Sequence, residues 1–287
     1  MNQTKSSKII LGSAQFGLDY GINNSFGKLK EKEVFKILDF SRERGINIID
    51  TANAYGSANN IIGNFIKKNP NSFKINTKFL FDQIPIDVKL NKTLSKLNIC
   101  DINTCFFHNY SDFEEHGNKL RKFKDLGKIK KIGLSVYSNV EFEKACLTNW
   151  IDVIQFPYNI LDNDCQRSKM IKLAKRKGKE IQARSIFLQG LFFMEIDKIP
   201  KNLFLLKPYI RKVHEIVLKK KVTLINICLG YVNHNKLIDN LIMGVDSFEQ
   251  LVENTEISNL LLDKEVVELI NNIRVIESML LLPKNWY

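Results

Sequence analysis

The chain has 287 residues and is 44% hydrophobic, which is enough to bury one large core in a single domain. It contains no apolar run of about 18 residues and no charged-then-apolar leader, so we expect neither a membrane span nor a secretory signal, and we expect a cytoplasmic location. The net charge of +12 comes from lysines scattered through nearly every predicted helix, without a zinc-finger, RNP-like or long basic–aromatic motif. We interpret it, together with the abundant asparagine and isoleucine, as the drift of an AT-rich coding sequence, with attraction of phosphate-bearing ligands as the alternative, and expect no nucleic-acid partner.

Short strand-like runs alternate with helix-like stretches along the chain, a pattern typical of βαβ units around a parallel sheet. Strands are predicted, in chain order, at residues 9–12, 46–49, 73–77, 102–107, 129–136, 151–156, 180–186 and 241–243. Helices are predicted at residues 31–44, from 57 onward, around 90–97, at 118–126, from 138 onward, at 165–177, at 210–231 and around 263–276. Together these elements predict an α/β fold, a (β/α)8 TIM barrel in one domain covering residues 1–287.

Cap signals and one long loop add detail to this barrel. Ser57 is a plausible helix cap, Ser138 opens an S-x-x-E capping box, and Ser247 opens an S-x-x-Q box with Gln250. A capped helix N-terminus directs N–H groups and a positive dipole outward, so the turn at Ser247 is a candidate phosphate seat. Residues 187–210 are apolar and interrupted by glycine and proline, which predicts a loop over the barrel mouth with a short helix.

Polar residues follow three successive predicted strands. Asp50 follows the second strand, with Tyr55 just before the turn glycine Gly56; Lys78 ends the third strand, and His108 ends the fourth. Because the carboxyl ends of parallel barrel strands meet at one mouth, we expect the acid, the phenol, the amine and the imidazole to converge there.

These four side chains can act as one proton-donating unit. A tyrosine with an ordinary pKa of about 10 is a slow acid, and we expect Lys78 to lower the pKa of Tyr55 while Asp50 keeps the ammonium charged and in place. His108 can then orient a carbonyl oxygen beside the phenol. Taken singly, the four also fit a turn aspartate, a rim tyrosine, a solvated lysine and a structural histidine, so only their combination points to catalysis.

With these residues in view, the chain resembles the aldo-keto reductase superfamily over most of its length. The matching segments are LGSAQFGLDYG (11–21), DTANAYG (50–56), TKF (77–79), FHN (107–109), IGLS (132–135), QFPYN (155–159), SIFLQG (185–190) and GVDSFEQLVEN (244–254). The ordered set is highly specific, although no single segment is. Members of that family are (β/α)8 barrels that bind NADPH, or less often NADH, across the barrel mouth and reduce aldehydes or ketones to alcohols.

The resemblance implies a role for each matching residue. Tyr55 is the implied proton donor, Lys78 and Asp50 its partners, and His108 the carbonyl-orienting residue. The implied cofactor-binding residues are Ser135 and Gln155 at the nicotinamide carboxamide, Ser185, Leu188, Gln189 and Gly190 along the pyrophosphate, and Gly244, Ser247, Gln250 and Asn254 at the adenosine end. The family's chemistry implies direct hydride transfer, so geometry and charge stabilisation carry most of the catalysis.

Three departures from the family's pattern involve four positions. Val136 stands where an asparagine often follows the serine of strand five, and Arg184 stands where an aromatic residue often stacks on the nicotinamide. Gly244 and Gln250 stand where strongly NADPH-selective members carry lysine and arginine, and charge-assisted bonds are roughly twice as strong as neutral ones. We favour NADPH as the cofactor, with NADH as the alternative.

Two other functions remain open from the sequence. Lys78 could be the Schiff-base nucleophile of an aldolase-type barrel, or the chain could be a cofactor-binding regulatory subunit without significant turnover. The expected partner is a small carbonyl compound. Phe16, Tyr20 and Phe79 suggest an apolar or sugar-stacking pocket, but they fit core packing equally well. The five cysteines include no CxxC pair, which indicates reduced packing residues and no metal site.

Overall fold

A computed structural model of the chain describes residues 7–257 and 260–286. These residues form eight parallel strands, each paired with its neighbour in the chain and the last with the first, so that the sheet closes into a barrel. The strands are β1 (Ile9–Gly12), β2 (Ile48–Asp50), β3 (Lys74–Phe79), β4 (Ile102–Phe107), β5 (Ile129–Ser135), β6 (Val153–Pro157), β7 (Glu180–Arg184) and β8 (Asn240–Met243). They are rich in isoleucine and phenylalanine and are largely buried, as strands covered on both faces must be. The predicted (β/α)8 barrel in a single domain is confirmed.

Helices connect the strands and cover the barrel. The α-helices are α1 (Ala14–Gly17), α2 (Glu31–Glu43), α3 (Ala58–Lys68), α4 (Ile86–Leu97), α5 (Tyr110–His116), α6 (Arg121–Asp125), α7 (Asn139–Leu147), α8 (Asp164–Arg176), α9 (Lys207–Lys220), α10 (Leu224–His234), α11 (Phe248–Ile257) and α12 (Lys264–Asn271). Short 3-10 segments lie at Leu188–Phe193, Ile196–Lys198, Lys201–Leu206, Ser278–Leu281 and Pro283–Asn285. The predicted loop at 187–210 is thus a chain of short turns followed by α9.

Several local predictions need correction. The helix predicted at 118–126 is the shorter α6, and a second short helix, α5, precedes it where none was predicted. The helix predicted at 210–231 is broken at residues 221–223 between α9 and α10. Lys221 takes a left-handed conformation there, with a φ of 51°, and Thr223 caps α10 by accepting from Asn226 N. The last helix is shorter than predicted and ends at Asn271.

The three predicted caps have different outcomes. Ser138 and Glu141 form the predicted capping box. Ser57 makes no cap, and its buried Oγ has no hydrogen-bond partner among the described residues. At α11, Ser247 Oγ accepts from Gln250 N at 3.2 Å, but the Gln250 side chain accepts from Asp246 N at 2.8 Å instead of closing a box with Ser247. The start of α11 is therefore capped, with Asp246 drawn into the turn.

Two glycines let α1 contact the turn that carries Tyr55. A Cβ on Gly17 would lie 1.9 Å from Tyr55 O and 2.6 Å from Ala58 N, and a Cβ on Gly56 would lie 2.4 Å from Gly17 O. Gly56 also has a φ of 50°, a backbone conformation that residues other than glycine rarely adopt. The position of the Tyr55 turn therefore depends on the absence of both side chains.

None of the helices in the described ranges is long and apolar enough to cross a membrane. Within the same ranges, no cluster of histidine, cysteine and carboxylate side chains is placed to hold a metal ion. All five cysteines are free thiols, and Cys105, Cys146 and Cys228 are buried.

Candidate active site

The ends of β2 and β3 bring an acid and an amine together inside the barrel. Asp50 and Lys78 are almost completely buried, at 2% and 3% exposure. The Lys78 ammonium donates to both carboxylate oxygens of Asp50 and, at 3.5 Å, to the backbone oxygen of Thr51. Gln155 of β6 also donates from Nε2 to Asp50 Oδ2 at 3.3 Å. Because either charge buried alone would be strongly destabilising, each depends on the other.

The rings of Tyr55 and His108 lie beside this ion pair. Tyr55 sits in the turn after β2, which is closed by bonds from its N to Ala52 O and from Ala58 N to its O. Lys78 Nζ is 5.4 Å from the centroid of the Tyr55 ring. The centroids of the Tyr55 and His108 rings are 6.4 Å apart, with the rings nearly perpendicular at 87°. The four residues predicted from the strand ends are therefore neighbours.

The pKa of Tyr55 differs from the sequence-based expectation. Burial raises it, Asp50 raises it further, and Arg184 partly opposes both. The prediction that Lys78 lowers it is therefore wrong in its net direction. The physical reason is that burial disfavours the charged phenolate and that the nearby Asp50 carboxylate adds to this effect.

His108 is held in its neutral form. Burial, and then the positive charges of Lys78 and Arg184, lower its pKa from 6.5 to about 3. Its Nδ1 is buried and has no hydrogen-bond partner among the described residues. A neutral imidazole carries one N–H, so His108 can donate one hydrogen bond to a ligand near neutral pH.

These residues line one cavity of about 800 Å³ at the carboxyl ends of the strands. All but two of the residues predicted for catalysis and cofactor binding line it, namely Asp50, Tyr55, Lys78, His108, Ser135, Gln155, Ser185, Gln189, Gly190, Gly244, Gln250 and Asn254. The two others, Leu188 and Ser247, lie outside the lining. Leu188 is fully buried in the core, and Ser247 caps α11.

The loop after β7 has an unusual backbone where it borders the cavity. Ser185, Gln189 and Gly190 have φ values of 58°, 54° and 85°. A Cβ on Gly190 would lie 2.8 Å from Asn23 Cβ, and Ser185 O accepts from Asn159 Nδ2 at 3.0 Å. Such conformations persist only where neighbours hold them, and they cluster at ligand-binding loops.

Gln155 presents an unused acceptor to the cavity. Its side chain is fully buried, and its Nε2 donates to Asp50, which fixes the orientation of the amide. Its Oε1 has no hydrogen-bond partner among the described residues. Ser135 lies opposite Gln155 in the register between β5 and β6. A buried amide oxygen without a partner invites a donor from a ligand.

The end of the cavity beside α11 is acidic. The lining residues from the loop after β8 and from α11 are Gly244, Asp246, Gln250, Glu253 and Asn254. Asp246 Oδ1 accepts from Gln15 Nε2 at 3.2 Å, which ties the loop after β8 to the loop after β1. This group contains two carboxylates and no lysine or arginine.

A cluster of two cationic side chains around one aromatic ring, elsewhere in the cavity wall, was not predicted from the sequence. Arg184 Cζ lies 4.2 Å from the centroid of the Tyr137 ring, and Lys284 Nζ lies 4.2 Å from the same centroid. Tyr137 follows β5 by two residues, so its place near the strand end was a usable signal. Lys284 belongs to the C-terminal segment, which carries no motif.

The three aromatic residues suggested for the pocket divide between pocket and core. Phe16 and Phe79 are fully buried and belong to the hydrophobic core. Tyr20 lines the cavity, where burial raises its pKa to about 12. Of the three, Tyr20 is the one available to contact a ligand.

Comparison with known proteins gives a consistent result. The sequence profile described as "Aldo/keto reductase family" matches residues 8–275. The chain is 24% identical over 212 residues to "Probable aldo-keto reductase 1" of Glycine max and 25% identical over 197 residues to aldo-keto reductase str7 of Strobilurus tenacellus. These alignments cover 67% and 63% of this chain and 60% and 57% of the relatives.

Among solved structures, the fold is similar to that of MGS-M4, an aldo-keto reductase enzyme from a Medee basin deep-sea metagenome library. The TM-score is 0.67 at 17% identity, and the alignment covers 96% of this chain and 93% of the other. At that identity, the likeness concerns the fold alone.

Proposed function

The chain belongs to the aldo/keto reductase family, and from this premise we propose that it reduces an aldehyde or ketone to an alcohol with a reduced nicotinamide dinucleotide. The observation that carries the proposal is the grouping of Asp50, Tyr55, Lys78 and His108 at one end of a cavity whose wall also holds the unpartnered Oε1 of Gln155.

The residues present fit a nicotinamide dinucleotide. The carboxamide of a nicotinamide can donate to Gln155 Oε1, a buried acceptor that lacks a protein donor. We propose that Ser135 and Gln155 hold that carboxamide, and that Ser185, Gln189 and Gly190 border the pyrophosphate. When bound, the reduced nicotinamide supplies a hydride to the carbonyl carbon.

Tyr55 donates the proton that completes the alcohol. Its raised pKa keeps the phenol protonated at neutral pH, so the proton is available for transfer to the carbonyl oxygen as negative charge develops there. The neutral His108 donates its N–H to the same oxygen and orients it. The Lys78 ammonium is held by Asp50 with its Nζ 5.4 Å from the centroid of the phenol ring, so it pairs the carboxylate that would otherwise face the phenol as an isolated negative charge.

The choice between NADPH and NADH depends on the cavity end beside α11. If the adenosine lies there, as the family resemblance implies, a 2′-phosphate would face Asp246 and Glu253 without a lysine or arginine from the same group. A ribose 2′-hydroxyl can instead donate to such carboxylates. We therefore propose NADH as the better substrate, which reverses the preference for NADPH inferred from the sequence.

A Schiff-base mechanism at Lys78 is a weaker candidate. Its ammonium is bound by both oxygens of Asp50, and an amine held in that ion pair is not available as a nucleophile. Borohydride reduction in the presence of a carbonyl substrate would trap a covalent adduct on Lys78 if that mechanism operated.

A carbonyl panel tests the proposed function directly. Aromatic, aliphatic and sugar-derived aldehydes and ketones are each incubated with NADH and with NADPH, and nicotinamide oxidation is followed by absorbance. Quenching of tryptophan fluorescence measures nucleotide binding in parallel. We expect at least one carbonyl compound to be reduced. Nucleotide binding without turnover of any carbonyl would instead support a regulatory subunit.

A further inference from the structure

Two cations flank a single aromatic ring in the cavity wall. Arg184 ends β7, and Lys284 belongs to the C-terminal 3-10 segment; each places its charged group 4.2 Å from the centroid of the Tyr137 ring. The two charged groups can therefore be no further apart than twice that distance. All three residues line the cavity that holds Tyr55 and His108. Contact with an aromatic face attracts a cation but leaves its charge unneutralised.

Neither cation forms an ion pair with a carboxylate among the described residues. The side-chain bonds of Arg184 go to neutral acceptors, from Nη2 to Val136 O at 3.2 Å and from Nη1 to Ser185 Oγ at 3.3 Å. Asp162 is close enough to interact with the Arg184 charge, but both of its oxygens accept from Arg167, at 2.6 and 2.8 Å. Arg184 thus keeps N–H donors and a full charge for another partner.

The carboxylates of the cavity lie elsewhere. Asp50 is bound by Lys78, and Asp246 and Glu253 belong to the acidic end that follows β8. Excess positive charge is therefore concentrated around Tyr137. A partly buried cation without an anion is unfavourable, and the planar guanidinium group matches the two oxygens of a carboxylate or phosphate.

The position of Lys284 is set by buried neighbours. Pro283 and Trp286 on either side of it are buried, Trp286 Nε1 donates to Leu280 O, and Asn202 Nδ2 donates to Trp286 O, both at 2.8 Å. The C-terminal segment is thereby fixed to the loop after β7. Lys284 itself is exposed, so its flexible side chain can follow a ligand into the cavity mouth.

We propose that Arg184 and Lys284 form a subsite for an anionic group of the substrate, so that the carbonyl compound reduced at this site carries a carboxylate or a phosphate. The inference rests on the proposed reductase function and specifies its substrate class. Arg184 is the main ligand of the anion, because it is partly buried and carries a rigid fork of donors. Lys284 adds charge at the rim.

A matched substrate pair tests the subsite. 4-Formylbenzoate and its methyl ester carry the same aldehyde and differ in charge, and glyceraldehyde 3-phosphate against glyceraldehyde distinguishes phosphate from carboxylate. In the wild type we expect kcat/KM to favour the anionic member of at least one pair. Arg184→Gln should reduce that preference by roughly 10- to 100-fold, since a charge-assisted bond is lost. Lys284→Gln should reduce it less, because exposed charges are screened.

Arg211→Gln is the control for net charge. Arg211 is exposed on α9 and does not line the cavity, so the substrate preference should stay at the wild-type value. Arg184→Lys keeps the charge without the guanidinium fork and should retain part of the preference. This variant and Lys284→Gln keep the proposal testable if Arg184→Gln does not fold.

Two results would overturn the subsite. The first is equal kcat/KM for the charged and neutral members of both pairs in the wild type. The second is a weakened Kd for NADH in Arg184→Gln, measured by tryptophan fluorescence, with an unchanged substrate preference. That result would assign Arg184 to the dinucleotide.

Failure of the proposed function is distinguishable from failure of the subsite. If no carbonyl compound is reduced, the anion subsite is tested separately by measuring the Tm with and without succinate or inorganic phosphate. A rise in Tm in the wild type that Arg184→Gln abolishes would uphold the anion subsite. The absence of such a rise, or the same rise in both proteins, would refute it.

Discussion

Burial moves the pKa values of Tyr55 and His108 in opposite directions, and both shifts favour the neutral form. The phenol keeps its proton because its pKa is raised, and the imidazole stays unprotonated because its pKa is lowered to about 3. The carbonyl oxygen would thus meet two neutral donors. The nearest opposite charges are paired with each other in Lys78 and Asp50, and Arg184 is a further cation of the cavity wall.

The low pKa of His108 predicts acid sensitivity. The unfolded chain binds a proton at this histidine below about pH 6.5, whereas the folded chain does so only near pH 3. His108 therefore does not affect stability above pH 6.5, and it destabilises the fold progressively as the pH falls from there to about 3. At pH 5 the effect is of the order of 2 kcal/mol. Denaturant unfolding at pH 5 and pH 7.5 should show a smaller acid-side loss in His108→Gln than in the wild type. Equal losses would contradict the buried neutral imidazole.

Removing Lys78 should disable both the chemistry and part of the stability. Lys78→Met leaves the buried Asp50 carboxylate with Gln155 as its remaining side-chain donor, and loss of one partner of a buried pair costs about 3–5 kcal/mol. Turnover should fall at least about 100-fold. The double variant Asp50→Asn, Lys78→Met should recover stability but not turnover. Wild-type turnover in Lys78→Met would exclude its assigned role.

At the scale of secondary structure, the site depends on how strand ends and turns meet. The sequence was informative where a strand delivers a side chain directly, as β2 and β3 do for Asp50 and Lys78. Local signals could not reveal contacts between distant segments, such as Lys284 of the C-terminal segment against Tyr137 after β5. They also could not show that the Gln250 side chain accepts a hydrogen bond from the backbone N–H of Asp246 and not from that of Ser247.

Because α1 contacts the Tyr55 turn closely, we expect one methyl group added at Gly17 to reduce activity strongly. Gly17→Ala places a Cβ 1.9 Å from Tyr55 O, so the turn must shift, and a displacement of about 1 Å can reduce kcat/KM by roughly 100-fold. Gly63→Ala is the matched control, because its Cβ would lie 1.8 Å from Lys96 O, between α3 and α4. Both variants should lose stability, and Gly17→Ala should lose more activity. Equal activity losses would show that the Tyr55 turn is not the sensitive element.

The acidic start of α11 predicts the cofactor preference. Gln250→Arg introduces a cation beside Asp246 and Glu253 and should tighten NADPH relative to NADH by about 10-fold, the strength of a charge-assisted bond. The ratio of the two Kd values is measured by fluorescence titration. Gln250→Met, which adds no charge, is the control. An unchanged ratio in Gln250→Arg would place the 2′ position of the adenosine elsewhere.

At the scale of the whole molecule, the closed barrel makes the site from segments far apart in the chain. The alternation of eight strand-like runs with helical stretches was sufficient to predict the barrel, although the loop after β7 separates the last strand from the others by a longer interval. The short helix α5 and the break between α9 and α10 were not predicted from the periodicity of the apolar residues. The charges of Arg184 and Lys284 were visible in the sequence, but their common partner Tyr137 emerges only when the barrel closes.

The most direct test of the account is the Tyr55→Phe variant, assayed with the best carbonyl substrate of the panel and with both dinucleotides. Removing one hydroxyl should lower kcat by roughly 100- to 10,000-fold, because proton donation is lost. The Kd of the dinucleotide, measured by tryptophan fluorescence, should change by less than about twofold, because Gln155 and Ser135 remain in place. Turnover equal to that of the wild type would contradict the assignment of Tyr55 as the proton donor and, with it, the proposed mechanism.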